Sequence, residues 1–402
     1  MNKKSRSEWF PILLLLAWPV VVQAQYLFTT NSDNTITITG YTGAGGIVTI
    51  PGVTNGLPVS NIGAGAFTNK GLSSVTIPTS VTNIGYGAFA SNSPISIVTI
   101  PYNVISIGDC AFYDCTSLGV FDFKGNAPSL GGTNVFTYDS NPNIFYLQGT
   151  TGWGTNFGGR TTFVQTQWSF TSNNVAITIT SYVGSDNDVR IPAALNGLPV
   201  TSIGTSAFLD KTVTSVTIPD SVVNIGNDAF YQCTSLAGIT IPAGVTNIGT
   251  YAFYDCTSLT GITIPGSVTN LGAYAFYDCT KLTNVYFQGN APVGGSTLFI
   301  GDTKAIIYYL PGTTGWGLFT GPTPVLWNPH VPGSANFGVL SNRFGFAIAG
   351  TANINIVVES SASLVNPVWT LLTNLTLASG SAYFSDATWT NRPAGFYRFR
   401  AP

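Results

Sequence analysis

Between Leu259 and Leu282 the apolar residues follow a pattern that repeats along much of the chain. Leu259, Ile262 and Ile264 lie at strand spacing, Val268 and Leu271 follow, and Ala275-Phe276, Cys279 and Leu282 close the unit. Leu259-x-x-Ile262-x-Ile264 predicts a short strand with alternate side chains turned inward. Pro265 ends it, because it has no N–H to give to a ladder. Gly272 is read as permitting a tight turn, and Ala275-Phe276 as filling the core from the far side. Pro242 and Pro265, Phe253 and Phe276, and Cys233, Cys256 and Cys279 are all spaced by 23 residues. A unit this short cannot bury its own apolar side chains, so copies must stack into a solenoid with like residues in columns.

The array of units is itself duplicated. Thr35-Ile-Thr-Ile-Thr-Gly40 returns as Ala176-Ile-Thr-Ile-Thr-Ser181, and Asn55-Gly-Leu-Pro-Val59 as Asn196-Gly-Leu-Pro-Val200. Both stretches of alternating residues read as half-exposed strands. The spacings Pro51 to Pro78 and Pro192 to Pro219 are 27 residues, which implies a loop or bulge in each entry unit. Each array closes alike, with Phe123-Lys-Gly-Asn-Ala-Pro128 against Phe287-Gln-Gly-Asn-Ala-Pro292 and Gly149-Thr-Thr-Gly-Trp153 against Gly312-Thr-Thr-Gly-Trp316. These segments read as caps over the last coil's open end. Trp153/Trp316 and Trp168/Trp327 recur as pairs at cap positions, where packing is favoured over sugar stacking. After Pro322 the rhythm stops, and short apolar strands from Phe344 to Phe399 have the spacing of a small antiparallel sandwich.

Seven copies of Ile/Leu-Gly-x-x-Ala-Phe, ending at Phe67, Phe89, Phe112, Phe208, Phe230, Phe253 and Phe276, most of them preceded by Ile-Pro, resemble the BspA-like branch of the leucine-rich repeats found in exported bacterial surface proteins. The resemblance covers about residues 45–290. It implies a curved β-rich solenoid with binding or adhesion as its usual role. The stretch Val357–Phe399 is similar, more loosely, to terminal β-modules of exported proteins that carry such repeats. The expected fold is therefore mainly β, with two tandem leucine-rich-repeat arrays, little helix and a small C-terminal antiparallel β-sandwich. The expected boundaries are 1–24, 25–167, 168–329 and 330–402.

Composition narrows the function. Only 7% of residues are charged, but 44% are hydrophobic and 13% aromatic, too apolar for a disordered chain. Basic runs are confined to the first six residues, which argues against nucleic acid. Residues 1–24 read as a secretory signal, with Lys3, Lys4 and Arg6 before the apolar stretch Pro11–Val22 and a small-residue site at Ala24. The mature chain is expected outside the cytoplasm, without a transmembrane segment. Charge is uneven: residues 25–329 hold 7 Lys/Arg against 13 Asp, whereas residues 330–402 hold Arg343, Arg392, Arg398 and Arg400 against Glu359 and Asp386.

Reaction chemistry is scarce. His330 is the single histidine and falls in a linker, so no nucleophile–histidine arrangement can be built, and the chain is expected not to be an enzyme. Asp114, Asp255 and Asp278 share a column with Gln232, which reads either as exposed turn residues or as a cation-bridged stack. Cys115, Cys233, Cys256 and Cys279 read as buried free thiols, with Cys110–Cys115 the candidate for a disulfide. No metal site or cofactor is expected. The candidate ligand face is the outward column of the concave strands: Thr49, Thr76, Thr99, Arg190, Thr217, Thr240 and Thr263. A protein or glycan partner suits that repeated surface; the alternatives are a carbohydrate-binding accessory or enzyme-associated module, and a spacer that displays the C-terminal module.

Overall fold

The computed structural model describes residues 25–292, 295–332, 338–340, 343–361, 364, 369–391 and 395–400. The expected signal segment 1–24 and Arg392 lie outside the described residues. The chain divides into two compact units, Met1–Gln165 and Thr166–Pro402.

In the first unit, each coil gives one short strand to each of two sheets. The face that carries the Ile-Pro marks is hydrogen-bonded in two groups: Gly46–Thr49 pairs with Leu72–Thr76, while Ile97–Ile100, Val120–Phe123, Asn143–Leu147 and Arg160–Gln165 run parallel in register. The second sheet opens with an antiparallel pair, Tyr26–Thr30 and Ile36–Tyr41, and continues through Leu57–Ile62, Asn83–Ile84, Ser106–Ile107 and Ser129–Leu130. The second unit repeats both sheets, beginning with Trp168–Ser172 and Ile177–Tyr182. The longest described α-helical stretch is one turn, Gly295–Leu298, and no described helix is long and apolar enough to cross a membrane.

The cores follow from the columns. Phe67, Phe89 and Phe112 stack at 5.2 and 5.3 Å, and Phe208, Phe230, Phe253, Phe276 and Phe299 continue the motif at 4.9 to 5.4 Å, all but Phe299 fully buried. Offset aromatic stacks of this kind add to plain area burial. The Asn of Val-Thr-Asn-Ile forms a second ladder. Asn83 Nδ2 donates to Asn61 Oδ1 at 2.8 Å, Asn247 Nδ2 donates to Asn224 Oδ1 at 2.5 Å, and Asn270 donates to Asn247. Coil-to-coil amide bonding thus satisfies polar groups on the sheet face.

Three sequence expectations take a different form. Gly272 keeps an ordinary φ; its role is close approach, because a Cβ there would lie 2.2 Å from Thr250 N and 2.4 Å from Gly249 C in the preceding coil. The tight turns are made instead by left-handed residues such as Tyr274 (φ 58) and Asp278 (φ 57). The entry units hold small hairpins, Val53–Thr54 with Leu57–Ile62 and Ala194–Leu195 with Leu198–Ile203, turning at Asn-Gly pairs with positive φ at both residues. That is the conformation a two-residue hairpin requires. Third, Trp168 and Trp327 are not equivalent. Trp168 packs on Tyr182 and Phe208 at the entry of its array, whereas Trp327 Nε1 donates to Asn355 O at 3.0 Å. Trp153 and Trp316 are a true pair, stacked on Tyr146 and Tyr309 at 5.0 and 5.1 Å.

The described residues of 338–400 contribute two three-stranded antiparallel sheets. Their core of Phe346, Ile348, Ile354, Ile356, Val358 and Phe384 also takes in Tyr286 and Tyr308 from the solenoid sheet, so this core crosses the expected boundary at 329/330. Glu359, buried in the strand Asn355–Ser361, accepts from Arg398 Nε at 2.8 Å and Arg400 Nε at 2.7 Å. Burial works against its charge, yet Arg400 and Arg398 together hold the carboxyl below its ordinary range.

Candidate functional site

The outward column of the Ile-Pro sheet alternates with buried neighbours: Val48 and Ile50 flank Thr49, Val189 and Ile191 flank Arg190, and Ile239 and Ile241 flank Thr240. Parallel register brings the members together, with Thr49 beside Thr76, Arg190 beside Thr217, and Thr217 beside Thr240. Thr49, Thr76, Thr99, Arg190, Thr217 and Thr240 are exposed, and Thr263 is half-buried. Threonine suits such a place, because its branched side chain favours the strand and its hydroxyl stays in water.

The column does not end at Thr263. Register continues it through Tyr286 and Tyr308 to Val325 in the second unit, and from Thr99 through Asp122 and Phe145 to Phe163 in the first. The two ends diverge in chemistry. In the first unit Asp122 Oδ2 pairs with Lys124 Nζ at 2.9 Å, and Phe145 packs against the exposed Phe163 at 5.4 Å. In the second unit Tyr286 and Tyr308 stack at 4.7 Å with Trp327 edge-on to Tyr286 at 6.3 Å. There the sheet and the C-terminal strands border an open cleft of about 460 Å³, lined among others by Thr240, Thr263, Tyr286, Tyr308, Gln288 and Trp327. Burial, then the neighbouring Tyr308, pushes the Tyr286 phenol well above its usual value.

A second aromatic surface lies on the turns. Tyr231, Tyr254 and Tyr277 stack at 4.5 and 5.0 Å, and Tyr251 stacks on Tyr274 at 5.2 Å. The rings are nearly parallel to their neighbours, so their faces cover one another and mainly edges and hydroxyls reach solvent. This arrangement is not an open platform for a sugar ring. Asp114, Gln232, Asp255 and Asp278 beside it all have left-handed backbones, with φ of 55 to 60°. That conformation is one Asp tolerates in turns. Among the described residues no group of three or more His, Cys, Asp or Glu is placed to hold a metal.

All five cysteines are free thiols. Four form the buried column, their Sγ donating to Phe carbonyls one unit back: Cys115 to Phe89, Cys233 to Phe208, Cys256 to Phe230 and Cys279 to Phe253, at 3.0 to 3.3 Å. Burial pushes Cys115 and Cys233 up to about 12. Cys110 stands apart, half-buried on a left-handed turn residue (φ 57), and the bridge to Cys115 that the spacing suggested is not formed. His330 is exposed and pairs through its backbone with Ala349.

Register-matched parallel coils, a phenylalanine column and a cysteine column together define a leucine-rich-repeat solenoid protein. The model of the BspA type leucine rich repeat region matches residues 53–156 and 201–310 in six copies, more than half of the chain, and the chain belongs to that family. Among solved structures, a leucine rich cell surface protein from Faecalibacterium prausnitzii is similar at 26% identity over 70% of this chain and 92% of that one, with a TM-score of 0.30. A leucine-rich repeat protein from Bacteroides capillosus is 32% identical over 31% of this chain and 95% of its own, with a TM-score of 0.28. The pneumococcal vaccine antigen PcpA is 17% identical over 71% and 85%, with a TM-score of 0.30. A comparison with curated proteins finds no match.

Proposed function

We propose that the chain is an exported, non-enzymatic binding protein that holds a macromolecular partner on the outward column of its Ile-Pro sheets. The contact residues are Thr49, Thr76 and Thr99 in the first array and Arg190, Thr217, Thr240 and Thr263 in the second. The observation that carries this reading is the exposure of six of these side chains, all but the half-buried Thr263, between neighbours that are buried. Backbone groups on those strands are already used in the parallel ladders, so recognition falls to the side chains. Rungs about 4.8 Å apart give many similar weak contacts rather than one deep pocket. A protein partner is favoured along the open column, since threonine methyls and hydroxyls form a flat surface there. Arg190 is its charged anchor, and arginine is enriched in interface cores. Export rests on the reading of residues 1–24.

The test is capture of host-type matrix proteins and arrayed glycans by the purified mature chain, run beside Arg190→Ala and Thr217→Lys. Both variants alter exposed side chains, so the fold is expected to be retained. Loss of capture in either supports the reading. Undiminished capture by both would move the binding surface elsewhere.

A further inference from the structure

The two arrays repeat one pattern at an offset of 141 residues, so a place where matched turns carry different side chains is informative. In the second array Tyr254 meets Tyr231 of the preceding unit face to face at 4.5 Å and Tyr251 of its own unit edge-on at 5.7 Å. Tyr113 is the matching residue of the first array, and both of those rings are missing beside it. Ala90 stands in the place of Tyr231, and Cys110 in the place of Tyr251. The backbones correspond: Ser91 N donates to Tyr113 O at 2.8 Å, as Gln232 N donates to Tyr254 O at 2.8 Å. Gly87 takes the place of Asp228, and a Cβ built on it would meet nothing within 4 Å. The space left by these small residues is an open hollow of about 550 Å³, with Tyr86, Cys110, Tyr113 and Tyr138 in its wall. That size is within the roughly 300–1,000 Å³ of small-molecule pockets. Tyr86 and Tyr138 are 62% and 67% exposed, so their rings are open to a ligand. Among the described residues Tyr113 meets one other ring, Tyr138, edge-on at 5.2 Å.

From this we infer that the hollow is a binding site for a small neutral phenol, whose ring takes the place beside Tyr113 that Tyr231 fills beside Tyr254. The second array shows what the surface accepts there: a planar ring stacked at 4.5 Å, with its faces covered and its edge and hydroxyl toward solvent. Stacked and edge-on aromatic pairs add to plain area burial, which favours a flat ring over a saturated one of the same size. Charge selects further. No Lys or Arg is among the described residues of the wall. Asn134, which is in the wall, gives its backbone N–H and its amide to the carboxylate of Asp109 at 2.9 and 3.2 Å, so a negative charge already lies beside the site. An aromatic carboxylate is therefore disfavoured, and a phenol is not. The hollow lies on the turns and does not depend on what the outward column holds near Arg190.

The test is calorimetric titration of the full mature chain with p-cresol, the tyrosine side chain as a free molecule, with cyclohexanol and sodium benzoate as saturated and anionic controls. Saturation by p-cresol is expected with a Kd of about 1 mM, and both controls should bind at least severalfold more weakly. Ala90→Tyr restores the ring that the second array carries, so it should abolish p-cresol binding without lowering Tm. Tyr113→Leu should weaken binding by roughly three- to tenfold, the loss of one ring pair. Cys110 gives a readout in the unaltered chain: p-cresol at ten times its Kd should slow labelling of this thiol by about tenfold, as mass action requires of a covered site. That measurement decides the matter even if Ala90→Tyr fails to fold. The inference is overturned by an absence of saturable p-cresol binding, by equal affinity for either control, by full affinity in a folded Ala90→Tyr, or by Cys110 labelling that p-cresol leaves unchanged.

Discussion

Asp302 is expected to make the stability of the second array depend on pH, in the direction opposite to ordinary acid unfolding. It is 4% exposed, and neither carboxyl oxygen closes a hydrogen bond among the described residues. Burial pushes its pKa from 3.8 up to about 7; the Cys279 backbone N–H pulls it down and Asp278 pushes it further up. Asp139, at the matching place in the first array, is also pushed to about 7 by burial, although its Oδ1 accepts from Cys115 N at 2.9 Å. A folded-state pKa above the unfolded one means that the folded chain binds more protons between those values. Stability is therefore greatest below about pH 4 on this account and falls as pH rises to about 7, with little change above. A tenfold change in proton affinity is worth about 1.4 kcal/mol, so Asp302 accounts for at most ~4 kcal/mol across that window. Glu359 and Asp109, whose pKa values are lowered, act oppositely and only near the acid end of the window. Urea unfolding followed by tryptophan fluorescence, repeated between about pH 5 and pH 8, measures the slope directly. The expected result is a midpoint that rises as pH falls, with Asp302→Asn flattening part of the slope and raising stability at pH 8. A midpoint that rises with pH, or a slope untouched by Asp302→Asn, would refute the reasoning.

Three further outcomes follow from the columns and the buried carboxylate. Phe253→Ala, which opens a cavity between Phe230 and Phe276, should cost about 3–5 kcal/mol in urea unfolding. With a soluble thiol reagent, the native chain should label at Cys110 first, and Cys115, Cys233, Cys256 and Cys279 should react only on unfolding, as peptide mapping would report. Glu359→Gln should lower the unfolding midpoint through residues 343–400, costing about 2 kcal/mol, because it removes the anion that Arg398 and Arg400 share.

Much of this fold is legible in the sequence because a solenoid repeats each decision. The phenylalanine of Phe253 is a core residue in every copy and the cysteine of Cys256 in four of them, so one reading of the spacing places them all. Gly272 was visible but its reason was not, since the backbone it touches belongs to Gly249 and Thr250, a whole unit earlier. The Asn-Gly pairs at Asn55 and Asn196 carried a hairpin signal that the longer entry spacing alone does not give. The outward threonine column could be listed from alternation. The cleft at its end could not, because Tyr286 and Tyr308 sit among cap residues, and only the return of the chain through Phe399 and Arg400 brings the opposite wall. Nor could sequence periodicity tell that the tyrosines from Tyr231 to Tyr277 spend their ring faces on one another.

The central claim is that the open column of the Ile-Pro sheet is the surface that meets a partner. Amide hydrogen exchange of the mature chain, with and without the partner captured in the screen, tests it most directly. The account predicts added protection in Asp188–Arg190, Ser215–Thr217 and Gly238–Thr240, the strands that carry Arg190, Thr217 and Thr240. Protection confined to the strands of residues 343–400, with those three unchanged, would contradict it.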